Sequence, residues 1–397
     1  MTSAAPHDQY SKVTAVLPVN NVDSVMQALL ERTGAYATTW QARGTLLREQ
    51  WWQKYLPPIS PAKSIVQFLA PVNQAPALVG QVVETSNLNR QATGAVFSNV
   101  CDRVIFGSDF RKWPNRETAD TLLASHTLTD HLNIIFCTVS HHLSPRVSKA
   151  AIEAGAHGPI VYYSEGRGLR DRLGWLRITK DHEKEVLMVV AEAENAQRVF
   201  DAMAKSGEFH LPGRGFMYRL IIDRGMFHLA SRVSHHHHRA NMQQIIRAID
   251  HLSGHTHWRD HTAIQMAIDE RTNVTAHSPS VTPYLHNQTR LSAICPSTHS
   301  NDLMDFFLEC GVPGLSLHYG QTLRKETDGE VSHTEYALLQ SVVATDTADH
   351  IFEEIDHGAT ENAFDDLCVF SHRIPEVACY VPGRKGYRKT DRGSAAA

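Results

Sequence analysis

The chain has 397 residues, 42% of them hydrophobic, a formal net charge of −4, and 25 histidines as its compositional outlier. That length suits two to four domains with substantial cores, and the slightly negative balance gives no electrostatic case for nucleic acid. No apolar run reaches the roughly eighteen residues that a bilayer crossing needs, and residues 1–10 lack a charged stretch leading into an apolar one, so a cytoplasmic protein without a membrane span is expected.

In chain order, alternating and periodic apolar residues predict strands at 13–17, 36–41, 65–70 and 104–106 and helices over 22–32 and 77–88, together a first unit at 11–109. A linker at 110–130 carries a short helical stretch, 116–125. The second unit, 131–231, reads as strand 132–136, helix 145–153, strand 160–163, strand 185–191, helix 194–205 and strand 216–222. A His-rich linker, 232–289, has helical stripes at 242–252 and 257–271. The third unit, 290–383, follows as strand 291–295, helix 301–310, strands 314–319 and 337–344, helix 347–356 and strand 367–370; a basic tail, 384–397, closes the chain. The six cysteines, Cys101, Cys137, Cys295, Cys310, Cys368 and Cys379, show no C-x-x-C pairing, and free thiols buried as small apolar groups are expected.

The same order, β-α-β-β-α-β, thus occurs three times, which is the ferredoxin-like unit of about ninety residues. The expected fold class is α+β, three tandem ferredoxin-like repeats with helical linkers. Three sets of anchors align the copies: the first helix ends at Gly34, Gly155 or Gly311; the second ends before Thr93-Gly94, Ser206-Gly207 or His357-Gly358; a strand ends near Phe106, Tyr218 or Phe370. Leu47-Arg48, Leu169-Arg170 and Leu323-Arg324 open the three polar excursions between the middle strands, where Arg48, Arg170 and Arg324 are candidate ligand contacts.

The second copy resembles the P-II signal-transduction family. The similarity rests on the helix and glycine turn from Val147 to Gly158, on Gly166-Arg167-Gly168 where the family enters its long T-loop, on the strand from Lys184 to Val190, and on Ser206-Gly207 followed by Pro212-Gly213-Arg214-Gly215-Phe216. The last segment resembles the family's phosphate-holding loop, although the family's lysine is Phe216 here and its aspartate Arg214. Family members are homotrimers with ATP or ADP in the clefts between subunits and T-loops that reach partner proteins. The resemblance implies a covalent pseudo-trimer of P-II-like repeats, with a nucleotide or small anionic metabolite held by Gly166, Gly168, Ser206, Gly207, Gly213, Arg214 and Gly215. Glycines suit such a loop because they allow close backbone approach and converging N–H groups. Trp51, Trp52 and Tyr55 in the first excursion form an aromatic patch for a cleft or a protein partner.

A second chemistry is carried by cysteine and histidine. Cys137 and His141, and Cys295 and His299, form C-x-x-x-H pairs at the junction after the first strand of copies two and three; copy one has Leu17-Pro18-Val19-Asn20-Asn21 there. A thiolate and an imidazole bind zinc or nickel, or act as nucleophile and base; buried thiols beside a capping loop read the same way. His235 to His238 lie inside the chain, and His251, His255, His257 and His261 follow, with His257 and His261 four apart as two imidazoles sharing a metal would be. His235, His237, His255, His257 and His261 are the candidate ligands of that cluster. Two functions therefore remain open: an effector-binding regulator, and a metal-dependent hydrolytic enzyme using one diverged cleft.

Overall fold

The computed structural model describes residues 9–33, 37–45, 62–88, 94–107, 128, 130, 132–156, 158–168, 183–228, 284–325, 331–358 and 366–381. All of them fall in one unit of the chain. The helices expected at 116–125, 242–252 and 257–271 lie outside the described residues, as does the basic tail. The first segment runs β1 (Tyr10–Pro18), α1 (Val22–Thr33), β2 (Thr38–Gly44), β3 (Ala62–Pro71), α2 (Ala75–Ser86), β4 (Gly94–Val100), β5 (Arg103–Phe106). The second runs β6 (Leu132–Ser140), α3 (Ser144–Glu153), β7 (Ile160–Gly168), β8 (Glu183–Glu192), α4 (Ala193–Gly207), β9 (Phe216–Ile222), β10 (Arg224–His228). The third runs β11 (Gln288–Pro296), α5 (Ser300–Glu309), β12 (Gly314–Lys325), β13 (Val331–Ala344), α6 (Thr345–Gly358), β14 (Cys368–Ile374), β15 (Val377–Cys379). Among the described residues no helix is long and apolar enough to cross a membrane.

All the strands join one antiparallel sheet of fifteen. Within each segment the first strand lies between the third and the fourth, as β1 does between β3 and β4. β2, β7 and β12 pair with one another, which curls the sheet onto itself. The short last strands cross between segments in a cycle: β5 adds to β14, β10 to β4 and β15 to β9. Each covers a fourth strand that would otherwise expose a row of unpaired backbone groups.

Those crossing strands correct the alignment of the first segment. Residues 104–106 are a strand, as expected, but they pair with β14, and the fourth strand is β4. Each first strand has nine residues and leads through a three-residue 3-10 turn into a helix. Val16, Thr138 and Ile294 are therefore equivalent, and their partners on the fourth strand are Ala95, Phe216 and Cys368. Gly94 then corresponds to Gly215, not Gly207, and a Cβ on either glycine would lie 2.0 Å from the facing carbonyl oxygen, of Val16 or Thr138. The left-handed caps of α2 and α4 are Asn87 and Glu208, both at φ 53°. The glycine turns after α3 and α5 are as expected, with Gly155 at φ 99° and Gly311 at φ 89°; Gly34 is outside the described residues.

Strand alternation gives the sheet two apolar faces. Ile135, Cys137 and Val139 of β6 pack with Val147 and Ala151 of α3 and Val199, Phe200 and Met203 of α4. Leu291, Ala293 and Cys295 of β11 pack in the same way against Leu303 and Phe307 of α5 and Ile351 and Phe352 of α6. The intervening residues, among them Ile134, Phe136, Tyr162, Tyr218, Ile294, Tyr336 and Phe370, join Val16 in a single inner cluster shared by all three segments. The helices form because their apolar residues recur at helical spacing: Val22, Val25, Met26, Leu29 and Leu30 of α1 are all buried.

Candidate functional site

A cavity of about 420 Å³ lies where β6 ends, lined by Ser140, His142 and Leu143 on one side and by Leu211, Pro212, Gly213 and Arg214 on the other. The second wall is the loop between α4 and β9, and its shape follows from local sequence. Glu208 terminates α4 in the left-handed region, Leu211 N–H donates to Glu208 O at 2.9 Å, and Phe209 is buried beneath. Gly207 is needed because a Cβ would meet the Phe209 ring at 2.5 Å, and Gly215 because its backbone lies against Thr138. Gly213, at φ 77°, has nothing within 4 Å of a Cβ. Arg214 Nη2 lies 3.1 Å from Glu208 Oε2, and Arg146 Nη2 lies 3.5 Å from Glu208 Oε1. An incoming anion would exchange with that carboxylate. Ser206 Oγ donates to the carbonyl of Arg146 at 3.3 Å and is absent from the cavity lining.

Beside this cavity a second cluster gathers on Glu185 of β8, whose side chain is 0% exposed. Arg43 Nη2 donates to Glu185 Oε1 at 2.5 Å, His141 Nδ1 lies 2.7 Å from the same oxygen, and Ser144 Oγ donates to Oε2. Arg43 comes from β2, which runs beside β7, so the cluster bridges the first and second segments. The exposed ring of Tyr163 stacks on His141 at 6.5 Å and takes the Arg43 guanidinium at 5.6 Å. Chemically, the carboxylate orients His141 through Nδ1 and leaves Nε2 as the ring nitrogen open to another partner.

No family model matches this chain, and no curated protein sequence is significantly similar to it. The assignment of its site therefore rests on its own residues.

The structure brings Gly213 and Arg214 to the cavity and places His141 beside it, but it separates the cysteines from this chemistry. Cys137 and Cys295 both face helices, with burial pushing each thiol up, Cys295 to about 12. The two C-x-x-x-H pairs are also out of register, since Cys137 is equivalent to Ala293 and Cys295 to Val139. Both keep the helix-facing parity because the offset is two residues. His299 is exposed on its 3-10 turn. Among the described residues no group of three or more His, Cys, Asp or Glu side chains is placed to hold a metal. His235, His237, His255, His257 and His261, with Arg48, Arg170, Trp51, Trp52 and Tyr55, lie outside the described residues. Gly166 and Gly168 pair with Ser316 and Gly314 of β12, and the Arg324 backbone pairs with Ser332.

Sequence reasoning missed Arg43, Ser144, Tyr163 and Glu185. One signal was available: Glu185 shares the helix-facing parity of Leu187, Val189 and Ala191, and a lone carboxylate at such a position demands partners. Its equivalents are Ser64 and Ala337, opposite Leu17 and Cys295, so the cluster is particular to the second segment.

Proposed function

We propose that this protein is a P-II-like regulator, a covalent pseudo-trimer of three ferredoxin-like units that binds a nucleotide or small anionic metabolite beside the 211–214 loop. The threefold element order, the mutual pairing of β2, β7 and β12, and the cyclic exchange of β5, β10 and β15 support the pseudo-trimer. The observation that carries the binding reading is the cavity of about 420 Å³ lined by Gly213 and Arg214 together with Ser140 and His142. Its size is within the range of small-molecule sites, and a guanidinium with a glycine peptide suits a phosphate or carboxylate. The Glu185 cluster starts one residue away, at His141, and reaches the first segment through Arg43. Ligand that draws Arg214 from Glu208 would be felt across that cleft and passed to a partner through the excursion between β7 and β8.

The test is calorimetry of the full chain against ATP, ADP, inorganic phosphate and a series of dicarboxylates. Binding of at least one is expected, weakened roughly tenfold or more by Gly213→Asp, which sets a carboxylate in the cavity. Absence of heat for every compound at millimolar concentration overturns the reading.

A further inference from the structure

We propose that the inner face of the curled sheet holds one small monovalent anion, of about halide size, beside Lys12 and Arg290. The two residues start from equivalent positions on β1 and β11, the third such position being Ile134 on β6. Each is 1% exposed. Both lean on one ring: Lys12 Nζ is 5.6 Å and the Arg290 guanidinium 4.7 Å from the centroid of Phe136, and Arg290 is also 5.7 Å from that of Tyr218.

Among the described residues neither cation has a carboxylate partner. Lys12 Nζ and all three nitrogens of the Arg290 guanidinium lack a hydrogen-bond partner. The buried carboxylates among the described residues are Glu185, Glu192 and Glu376. Each is engaged elsewhere: Glu185 with Arg43, Glu192 with Asn195, Glu376 with Arg219. Aromatic faces recover part of the hydration a buried cation loses, but a ring quadrupole carries no net charge. Water satisfies N–H groups without neutralising them.

The two residues resolve this differently. Burial and, next, the neighbouring Arg290 push the Lys12 amine well below its usual range, which favours its neutral form. A guanidinium does not deprotonate in proteins. The Arg290 charge remains, and a monovalent anion balances it. The room found nearby is small: a gap of about 10 Å³ is lined by Tyr218, on whose ring the guanidinium leans, and by Val342, the residue opposite Arg290 in the ladder. That holds about one water-sized sphere and excludes a nucleotide. The site is thus separate in place and in ligand from the cavity at residues 211–214.

The experiment measures thermal unfolding of the full chain at constant ionic strength, exchanging gluconate, which is too large to enter, for bromide, with phosphate as a third arm. Bromide is expected to raise the midpoint saturably by at least about 3 °C, with phosphate no better than gluconate. Arg290→Met is expected to abolish the difference. Equal midpoints in bromide and gluconate, a phosphate effect matching that of bromide, or a response that survives Arg290→Met would overturn the proposal. Should that variant not fold, wild-type crystals soaked in bromide decide: an anomalous peak against Arg290 supports the site, and its absence there overturns it.

Discussion

Glu185 and Arg290 are both buried charges, yet one is surrounded by partners and the other by rings. Glu185 accepts from Arg43, His141 and Ser144, three groups drawn from β2, a 3-10 turn and α3. Among the described residues Arg290 has no hydrogen-bond partner and leans on Phe136 and Tyr218. A buried carboxylate with three donors stabilises the arrangement that supplies them, whereas an isolated buried cation opposes folding until something neutralises it. The first is a joint between segments; the second is a place for an ion.

Removing each charge should have opposite consequences, which is the sharpest way to break the comparison. Glu185→Leu strands Arg43 and His141 and leaves Ser144 only its 3.3 Å bond to the His141 carbonyl. Arg43 and His141 are partly exposed and recover some hydration, so the expected loss is about 3 kcal/mol in urea unfolding. Arg290→Met in halide-free buffer is expected to be neutral or to gain about 2 kcal/mol; a loss as large as that of Glu185→Leu would erase the distinction.

Acid should act on the inner face in the same sense. His318, on β12, donates from Nδ1 to the carbonyl of Tyr163 at 3.1 Å and stacks on Trp40. Burial lowers it from 6.5 to about 4, and His372, beside Lys12 and Arg290, is lowered as well. Each histidine is then neutral when folded and takes up a proton more readily when unfolded. Stability contributed by the neutral ring is present above pH 6.5 and falls as pH drops toward 4, by up to about 3 kcal/mol for His318 alone. Urea midpoints across that window should show the decline, and His318→Gln should reduce it; an unchanged slope would place the titrating groups elsewhere.

The smallest contrast is within the 211–214 loop and its flank. Gly215→Ala drives a methyl into the Thr138 carbonyl and should cost about 2 kcal/mol, while Gly213→Ala, with open space around it, should cost about 1 kcal/mol from its positive φ alone. Equal costs in thermal melts would mean that the loop does not press on β6 as described.

Much of the secondary structure was legible because burial imposes a period. The stripe of Val25, Met26, Leu29 and Leu30 marks α1, and the run from Leu132 to Val139 marks β6, since residues on both faces of that strand are buried. The first segment's fourth strand was obscured because Ala95-Val96-Phe97 is short and Gly94 resembles a helix stop; its true constraint is the carbonyl of Val16, seventy-eight residues earlier in the numbering. The loop at Gly213 and Arg214 was readable from glycine spacing. Ser206 and Gly207 sit in the last turn of α4, where a hydroxyl bonded to Arg146 and a clash with Phe209 explain them without a ligand.

By itself the sequence determined most of the helices and strands and their order in three segments, because these depend on local periodicity and backbone sterics, but not β4, β10 or β15. Only the tertiary structure decided that β5, β10 and β15 cross to neighbouring segments, that Glu185 collects its donors from three elements, and that Lys12 and Arg290 share one ring with no carboxylate partner among the described residues. Ladder pairing and charge compensation act between residues far apart in the chain, and a lysine or arginine near the start of a strand looks the same in sequence whether it ends in water or on Phe136.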